Sequence, residues 1–223
     1  MTTIADQLNN FLSNYPVRKL KRGHTLLFQG EVPRYVYVIK SGIVKTYNIT
    51  STGEEQIITF STAYDIVPES WLLGGASAAF YFYEAFSDCQ LYTIPKDVLI
   101  KETTSNPDIL PTLLNNFMRL YVGANMHINA LEQSRSSEKI VNLLHYLIMR
   151  FGEDTAKDYC KINLRLTHQT LAGMVGLTRE TTAHELAKLR RDKVIDYQGK
   201  IYSVNKPKLL ELRNEDDFAN PLR

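Results

Sequence analysis

The chain has 223 residues, of which 44% are hydrophobic and 22% charged, so it is long enough for one large or two moderate globular domains. Two distant cysteines, Cys89 and Cys160, form no CxxC pattern, which argues against a disulfide framework, a zinc site or an iron–sulfur cluster. The sequence shows no signal-peptide pattern and no apolar run near the ~20 residues of a membrane span. We therefore expect a cytoplasmic protein without membrane contact, metal or cofactor.

The formal net charge is only +2, but the charges are unevenly distributed along the chain. Residues 134 to 213 carry 15 basic side chains against 9 acidic ones, whereas residues 1 to 133 carry 10 against 12. A basic C-terminal third indicates a polyanionic partner, although chance clustering can also produce an excess of this modest size.

The N-terminal half predicts a short helix followed by many short strands. Residues 4 to 14 are amphipathic at helical spacing, and Tyr15-Pro16 ends that helix. From Val17 to Pro95 the hydrophobic period is two, with glycine turns between the strands. Strands are predicted at residues 36 to 39, 43 to 47, 57 to 60 and 89 to 94, the first two as a hairpin around Lys40-Ser41-Gly42. This spacing favours a sandwich or a small barrel.

A long helix is predicted after Pro107, because apolar residues there step alternately by four and by three. That pattern is the heptad seam of a coiled coil. The seam consists of Leu110, Leu114, Phe117, Tyr121, Ala124, Ile128 and Leu131. A parallel homodimer would supply the partner helix, whereas the alternative is a seam that packs on the chain's own strands. Leu113 and Leu120 form a second stripe suited to that packing, which favours the dimer.

Residues 134 to 137 interrupt the seam and predict a hinge, with Ser137 as the N-cap of the next helix. The apolar face of that helix consists of Ile140, Leu143, Leu144, Leu147 and Ile148. A polar loop is predicted over residues 152 to 158, and a short strand over residues 162 to 166.

Residues 166 to 191 predict two short helices joined by a tight turn at Gly176. Thr167 and Thr178 each precede an apolar-periodic run and suit the N-cap position. The inward face consists of Leu171, Ala172, Val175, Leu177, Ala183, Leu186 and Leu189. The opposite face of the second helix carries long polar side chains, as a major-groove reader requires: Arg179, Glu180, His184 and Lys188. A solvated helical hairpin within a larger bundle would show the same periodicity.

After the second helix, residues 194 to 197 and 201 to 204 predict a hairpin wing, and the tail from Asn214 is expected to fray. The order of elements predicts an α+β fold in three parts. These are a β-roll sensor domain over residues 1 to 106, a dimerisation helix over residues 107 to 133, and a winged helix-turn-helix domain over residues 134 to 223.

A specific motif lies in the last part: Leu166-Thr167-His168-Gln169, then Leu171-Ala172, then Gly176-Leu177-Thr178-Arg179-Glu180-Thr181-Thr182, with Leu186 and Leu189. With this motif and the glycine pattern of a cyclic-nucleotide-binding-type roll, the whole chain resembles the Crp/Fnr family of bacterial transcription regulators. The resemblance implies a homodimer that binds double-stranded DNA, recruits or blocks RNA polymerase, and is not an enzyme.

The resemblance also implies roles for individual residues. Arg179 would pair with guanine O6 and N7 and Glu180 with a cytosine amine, in the core of a TGTGA-like half-site. Where the best-known members carry a second arginine, this chain has His184, so the outer base preference is open. The family positions that contact phosphates are matched by His168, Gln169, Thr178 and Thr181. About half of the nearby basic side chains are expected to lie close to DNA: Lys188, Arg190, Arg191, Lys193 and Lys200.

The roll departs from its cyclic-nucleotide-binding relatives, which carry Phe-Gly-Glu and, ten residues after the Glu, an Arg-Ser or Arg-Thr pair for the cyclic phosphate. An ungapped match places Glu69 at the Glu, with Ala79 and Phe80 where the Arg and its hydroxyl partner should stand. Lys and Arg are absent from Gly74 to Thr93. A buried phosphate would lack charge compensation, so we expect no high-affinity cyclic-AMP or cyclic-GMP binding.

Aromatic residues replace that pair, in the run Phe80-Tyr81-Phe82-Tyr83. They predict either a pocket filled by its own aromatics or a site for a small apolar or aromatic effector, although alternating aromatics are also good strand formers. The residues of this degenerate pocket would be Glu69, Trp71, Ala79, Phe80 and Phe82.

The residues disfavour two other functions. A cupin-like metal enzyme needs several histidines, and His24 is the sole histidine before residue 127. A sensor whose helix-turn-helix mainly contacts proteins is disfavoured by the Arg179-Glu180 pair.

Overall fold

The computed structural model describes residues 4–72, 74–106, 109–156 and 158–213. Its contacts divide the chain into two compact units, with the division between Met118 and Arg119. The N-terminal unit consists mainly of strands and the C-terminal unit mainly of helices. The division lies within the long helix α4 (Leu110–Glu132). No helix in the described part of the chain has the length and apolar character needed to cross a membrane.

The N-terminal unit holds two four-stranded sheets, with strand orders β1-β8-β3-β6 and β2-β7-β4-β5, and all their pairings are antiparallel. Its elements are α1 (Ile4–Leu12), β1 (Val17–Leu20), β2 (Thr25–Leu27), β3 (Val36–Ser41), β4 (Val44–Ile49), β5 (Glu55–Ser61), β6 (Ile66–Val67), α2 (Glu69–Leu72), β7 (Phe82–Ala85), β8 (Cys89–Ile94), α3 (Lys96–Ser105) and α4 (Leu110–Glu132). The predicted strands and N-terminal helix are thus confirmed as elements, as is the α+β class.

Alternation along β3 explains why its residues Val36 to Ile39 are all buried although their side chains point to opposite faces. Tyr37 and Ile39 belong to an inner cluster between the two sheets. Val36 and Val38 belong to an outer cluster, in which the first sheet packs against α1, α3 and the start of α4. The first sheet is therefore covered on both faces.

The predicted hairpin between residues 36 to 39 and 43 to 47 is wrong, because β3 and β4 lie in different sheets. The chain passes from one sheet to the other at Gly42, whose φ is +93°. A Cβ added there would lie 2.4 Å from the carbonyl oxygen of Asp88, so this close approach requires glycine. The glycine marks a corner between sheets rather than a hairpin turn.

The C-terminal unit packs helices around a four-stranded sheet of order β11-β12-β10-β9. After α4 its elements are α5 (Ser136–Phe151), β9 (Gly152–Ala156), β10 (Tyr159–Ile162), α6 (His168–Val175), α7 (Arg179–Arg191), β11 (Ile195–Gln198), β12 (Ile201–Asn205) and α8 (Lys206–Arg213). The predicted apolar face of α5 is buried, and the wing is confirmed as the antiparallel pair β11–β12. The predicted tail from Asn214 lies outside the described residues.

Three local predictions in this unit are wrong. Residues 152 to 158 include the edge strand β9 rather than a polar loop alone, because an edge strand can pair its backbone while Glu153, Asp154 and Thr155 stay exposed. The short strand expected at residues 162 to 166 ends at Ile162. Helix α5 begins at Ser136, after an N-cap residue without a side-chain cap, so Ser137 is not its cap.

Candidate nucleic-acid interface

Two threonine caps and one glycine build the turn between α6 and α7. Thr167 Oγ1 accepts the backbone N–H of Thr170 at 3.0 Å, and Thr178 Oγ1 accepts that of Thr181 at 3.1 Å. Gly176 follows α6 in the left-handed conformation with φ of +63°, where a residue with a Cβ would be strained. Both predicted N-caps and the predicted turn are confirmed.

The apolar faces of both helices are buried within the C-terminal unit. Leu171, Ala172 and Val175 of α6 are almost fully covered, as are Leu186 and Leu189 of α7. Of the predicted inward residues, Leu177 and Ala183 are only half-buried, because they lie at the edge of the buried face. The opposite face of α7 therefore remains at the surface, at an orientation fixed by packing.

Arg179, Glu180, His184 and Lys188 all lie exposed on that free face, as the periodicity predicted. Arg179 is the first residue of α7 and Glu180 the second. An acidic side chain in the first turn suits the helix dipole, whereas a cation there is unfavourable by about 0.3–1 kcal/mol. Local helix stability therefore does not account for an arginine at this position.

The predicted phosphate-contacting residues lie at the N-terminal ends of the two helices. His168 and Gln169 open α6, while Thr178 caps α7 and Thr181 lies in its first turn. The hydroxyls of Thr178 and Thr181 are 2.9 Å apart. Helix starts present unpaired N–H groups, which are the donors that a phosphate oxygen accepts.

His168 lies where α6, α7 and the wing meet. Its ring contacts the edge of the Tyr197 ring, with centroids 5.9 Å apart and planes at 86°. Burial and the nearby Arg179 guanidinium lower the pKa of the His168 imidazole below its usual value. The fold thus brings together a predicted base-reading residue and a predicted phosphate-contacting residue.

A phosphate contact at His168 predicts that affinity for DNA rises as the pH falls from about 8 to below ~6.5, because the pKa of this imidazole in the free protein lies under its usual value. In the free protein the lowered pKa keeps His168 neutral near pH 7. A phosphate oxygen beside the ring would favour the charged form, so the bound state would have the higher pKa and binding would take up a proton. The measurement is the Kd for one duplex across this range at constant salt.

His168→Gln retains a hydrogen-bonding side chain that does not titrate, so its Kd should change less with pH than that of the wild type. His24→Gln is the matched control, because His24 is exposed in the N-terminal unit. Equal pH dependence in wild type and His168→Gln would contradict the phosphate contact at His168.

Tyr197, on β11, is a residue that the sequence did not single out. Its ring lies 5.1 Å from the ring of Tyr202, its cross-strand partner on β12. The Arg190 guanidinium of α7 lies over the Tyr197 ring, 4.5 Å from its centroid, and pairs with Asp196 at 3.0 Å. The sequence did contain a signal for this contact, because the two tyrosines stand at matching positions on either side of the wing turn, where cross-strand partners are expected. Arg190, expected among the basic side chains around the DNA, is therefore tied to the wing.

The predicted seam on α4 leaves large apolar side chains at the surface. Four of its seven residues are between 49% and 64% exposed, namely Leu110, Leu114, Tyr121 and Ile128. Ala124 is also exposed and Leu131 half-buried. Phe117 instead packs partly against the outer cluster, beside Leu113. Much of the seam is therefore available to a second helix.

The predicted pocket residues of the roll do not come together in one place. Ala79 is 2% exposed in the inner cluster, whereas Trp71 packs against the outer cluster with the Lys96 ammonium 4.7 Å from its ring. Phe80 is 54% exposed, so it does not fill the roll. Phe82 stacks on Tyr47 with ring centroids 5.3 Å apart.

Tyr83 is fully buried in the inner cluster of the roll, where Tyr37 is a second buried aromatic residue. Burial raises the pKa of its hydroxyl, and burial likewise raises the pKa of the Glu69 carboxyl. A buried phosphate would need a cation, and the buried Lys45 ammonium already pairs with Glu55 at 2.6 Å and Glu84 at 3.2 Å.

The chain combines a β-roll, a long helix with an exposed apolar seam, and a capped, basic pair of helices followed by a wing. This combination defines a DNA-binding regulator of the winged helix-turn-helix class. Residues 17–106 match the cyclic nucleotide-binding domain, and residues 138–212 match the Crp-like helix-turn-helix domain. The chain belongs to the Crp/Fnr family, and it is a DNA-binding transcription regulator rather than an enzyme.

Two relatives match most of the chain. The HTH-type transcriptional regulator ArcR of Staphylococcus haemolyticus is 31% identical over 205 residues, which cover 88% of this chain and 85% of that protein. The global nitrogen regulator of Synechococcus elongatus is 28% identical over 194 residues, or 86% of each chain. The crystal structure of a cyclic nucleotide-binding domain containing protein from Listeria monocytogenes shares the fold, with a TM-score of 0.78 at 16% identity over 92% of this chain and 99% of that one.

Proposed function

We propose that the protein binds DNA as a homodimer and reads a TGTGA-like half-site with Arg179 and Glu180 of each α7. The observation that carries this proposal is the exposure of both side chains in the first turn of a helix whose opposite face is buried. A fixed helix presents them at the end that meets base edges first in the major groove. His184 lies one turn further along the same face and contacts the outer base pair.

The homodimer is supported by the exposed apolar residues on α4. Tyr121 and Ile128, seven residues apart, are each about half exposed or more. Such residues at heptad spacing lose contact with water when a second copy of the helix packs against them. A two-fold dimer would present two α7 helices to half-sites about one helical turn apart.

Selection of bound duplexes from a random pool tests the proposal. The expected result is a palindrome of two TGTGA-like half-sites, with affinity that falls steeply as salt increases because phosphate contacts release counterions. A single unpaired half-site would contradict the dimer, and duplex binding without sequence preference would contradict the base-reading role. Within the proposed function, the protein acts in the cytoplasm and recruits or blocks RNA polymerase at its operator.

We also infer that cyclic nucleotides do not control this regulator. Ala79, which stands where the family's phosphate-binding arginine would be, is buried in the inner cluster. Lys45, the buried cation among the described residues of the roll, is engaged by two carboxylates. A cyclic phosphate in the interior would find no unpaired buried cation among those residues to compensate its charge.

Titration calorimetry of the full-length protein with cyclic AMP and cyclic GMP should show no binding in the nanomolar-to-micromolar range. Duplex affinity should likewise be the same with and without either nucleotide. A saturable heat signal at micromolar cyclic AMP would contradict the inference. A Crp/Fnr protein that retains the Arg-Ser pair serves as the positive control for the titration.

A second candidate is a roll that binds a small apolar or aromatic effector, which then gates DNA binding. The stacked pair of Phe82 and Tyr47 favours it, because Phe28 contacts the edge of Phe82 at 6.4 Å and is 59% exposed. The exposed Phe28 ring, with the partly buried Phe82 ring beside it, offers an aromatic surface to a flat, uncharged molecule, whereas Tyr47 is only 7% exposed. A panel of such molecules that left both thermal stability and duplex affinity unchanged would argue against this candidate.

A further inference from the structure

The C-terminal ends of α4 and α6 meet in the C-terminal unit, and two side chains join them. Lys139 of α5 donates from Nζ to the carbonyl of Leu131, in the last turn of α4, at 2.5 Å. The same ammonium lies 3.4 Å from the carbonyl of Val175, the last residue of α6. His127 of α4 donates from Nε2 to the carbonyl of Met174 at 2.6 Å.

These bonds satisfy groups that α6 cannot satisfy itself. The last four carbonyls of a helix have no partner within it. At this end, the N–H groups of Gly176 and Leu177 both donate to the carbonyl of Ala172. Met174 and Val175 are fully buried, so water does not reach their surroundings freely. Side chains of α4 and α5 therefore supply the donors to their carbonyls.

The donors are themselves held in place. His127 is only 5% exposed, and its ring stacks on Tyr146 with centroids 5.2 Å apart and planes 16° from parallel. A lysine ammonium at the C-terminal end of a helix also interacts favourably with the helix dipole. Here the Lys139 ammonium lies at the C-terminal ends of both α4 and α6. Ser136 adds a third link at this end, since its hydroxyl donates to Glu185 of α7 at 2.8 Å.

We propose that Lys139 and His127 form a clamp that fixes the helix-turn-helix against the C-terminal half of α4. They are positioning residues for DNA binding, since they contact neither bases nor phosphates in this assignment. The inference rests on the proposed homodimer, because Tyr121 and Ile128 of the seam lie on the same stretch of α4. The clamp thereby sets the separation and angle of the two α7 helices in the dimer.

The test compares two operators that differ by one base pair inserted between the half-sites. The insertion moves one half-site by about 3.4 Å along the duplex and about 34° around it. A rigidly clamped dimer should bind the longer operator much more weakly, whereas a loosened dimer should tolerate it. The readout is the Kd for the longer operator divided by the Kd for the original one. A loss of protein stability alone would not reduce this ratio.

Four full-length variants define the outcome. Lys139→Met and His127→Phe remove the donors and retain most of the packing, and each should reduce the ratio about tenfold, which corresponds to ~1.4 kcal/mol. Lys139→Arg can still donate to two carbonyls and should stay within about twofold of the wild type. Lys206→Met is the matched control, because Lys206 pairs with Asp154 and contacts neither α4 nor α6 through that bond.

Hydrogen exchange at Gly176 and Leu177, measured without DNA, gives a second readout. Exchange should be faster in Lys139→Met and His127→Phe, and unchanged in Lys206→Met. Wild-type spacing ratios in both clamp variants, or wild-type exchange in both, would overturn the clamp. A dimeric wild-type protein that is indifferent to half-site spacing would also overturn the clamp. A wild-type protein that sediments as a monomer would instead overturn the proposed dimer, and the exchange measurement would then decide the clamp by itself.

Discussion

Arg179→Ala should abolish tight operator binding while leaving the fold intact. Each bidentate arginine–guanine pair contributes about 1–3 kcal/mol of discrimination, and a palindrome contains two of them. The expected loss is therefore roughly 30-fold to 10,000-fold in Kd for the selected operator. Because Arg179 is exposed on the surface of α7, the thermal stability of the variant should match that of the wild type.

The control is Arg191→Ala, the same substitution in the last turn of the same helix. A phosphate contact there would weaken binding to all sequences about equally, without a change in the preferred motif. Arg179→Ala should instead lose the preference at the guanine that it reads and retain salt-dependent binding to any duplex. If the variant selected the same motif with the same affinity, α7 would not be the reading helix.

The helix-turn-helix could be predicted from sequence because its signals are local. A threonine directly before an apolar run predicts a cap, and the caps at Thr167 and Thr178 depend on atoms three residues away. The seam is likewise a repeat within one helix. Interactions at three-and-four spacing are therefore visible in the sequence without knowledge of the rest of the fold.

The partners of strands could not be predicted in the same way. Alternation identified β3 and β4 as strands, but the sheet to which each belongs depends on contacts far along the chain. Gly42 meets Asp88, 46 residues later, and that contact turns an apparent hairpin into a corner. Strand β9 was missed because exposed polar residues on an edge strand carry no hydrophobic alternation.

The side chains that fill the interior of the roll could not be predicted from the sequence either. Alternation in the run from Phe80 to Tyr83 says that neighbouring side chains point to opposite faces, but it does not say which face is inside. The structure places Tyr83 inside and leaves Phe80 exposed. Trp71, although close to Ala79 in sequence, lies on helix α2 and packs against the other cluster. Lys139 and His127 were missed because their acceptors are carbonyls, which the sequence does not reveal.

Ile128→Glu should convert the dimer into a monomer, because a two-fold interface would bury this carboxylate twice. An unpaired buried charge costs about 3–5 kcal/mol, so the dimer Kd should rise by more than about a thousandfold. Ile128 is 49% exposed, so the substitution leaves the core of the single chain untouched. Sedimentation measurements over a range of protein concentrations give the change directly.

Asn129→Glu is the matched control, because it adds the same carboxylate one residue along, about 100° around the helix and outside the seam. It should remain dimeric and keep wild-type affinity for the operator. The Ile128→Glu monomer should lose tight binding to the palindrome, because it places only one α7 on one half-site at a time, yet it should still bind a single half-site weakly. An Ile128→Glu protein that stays dimeric would place the interface elsewhere, and a monomer with full operator affinity would show that Arg179 and Glu180 read DNA without a second copy.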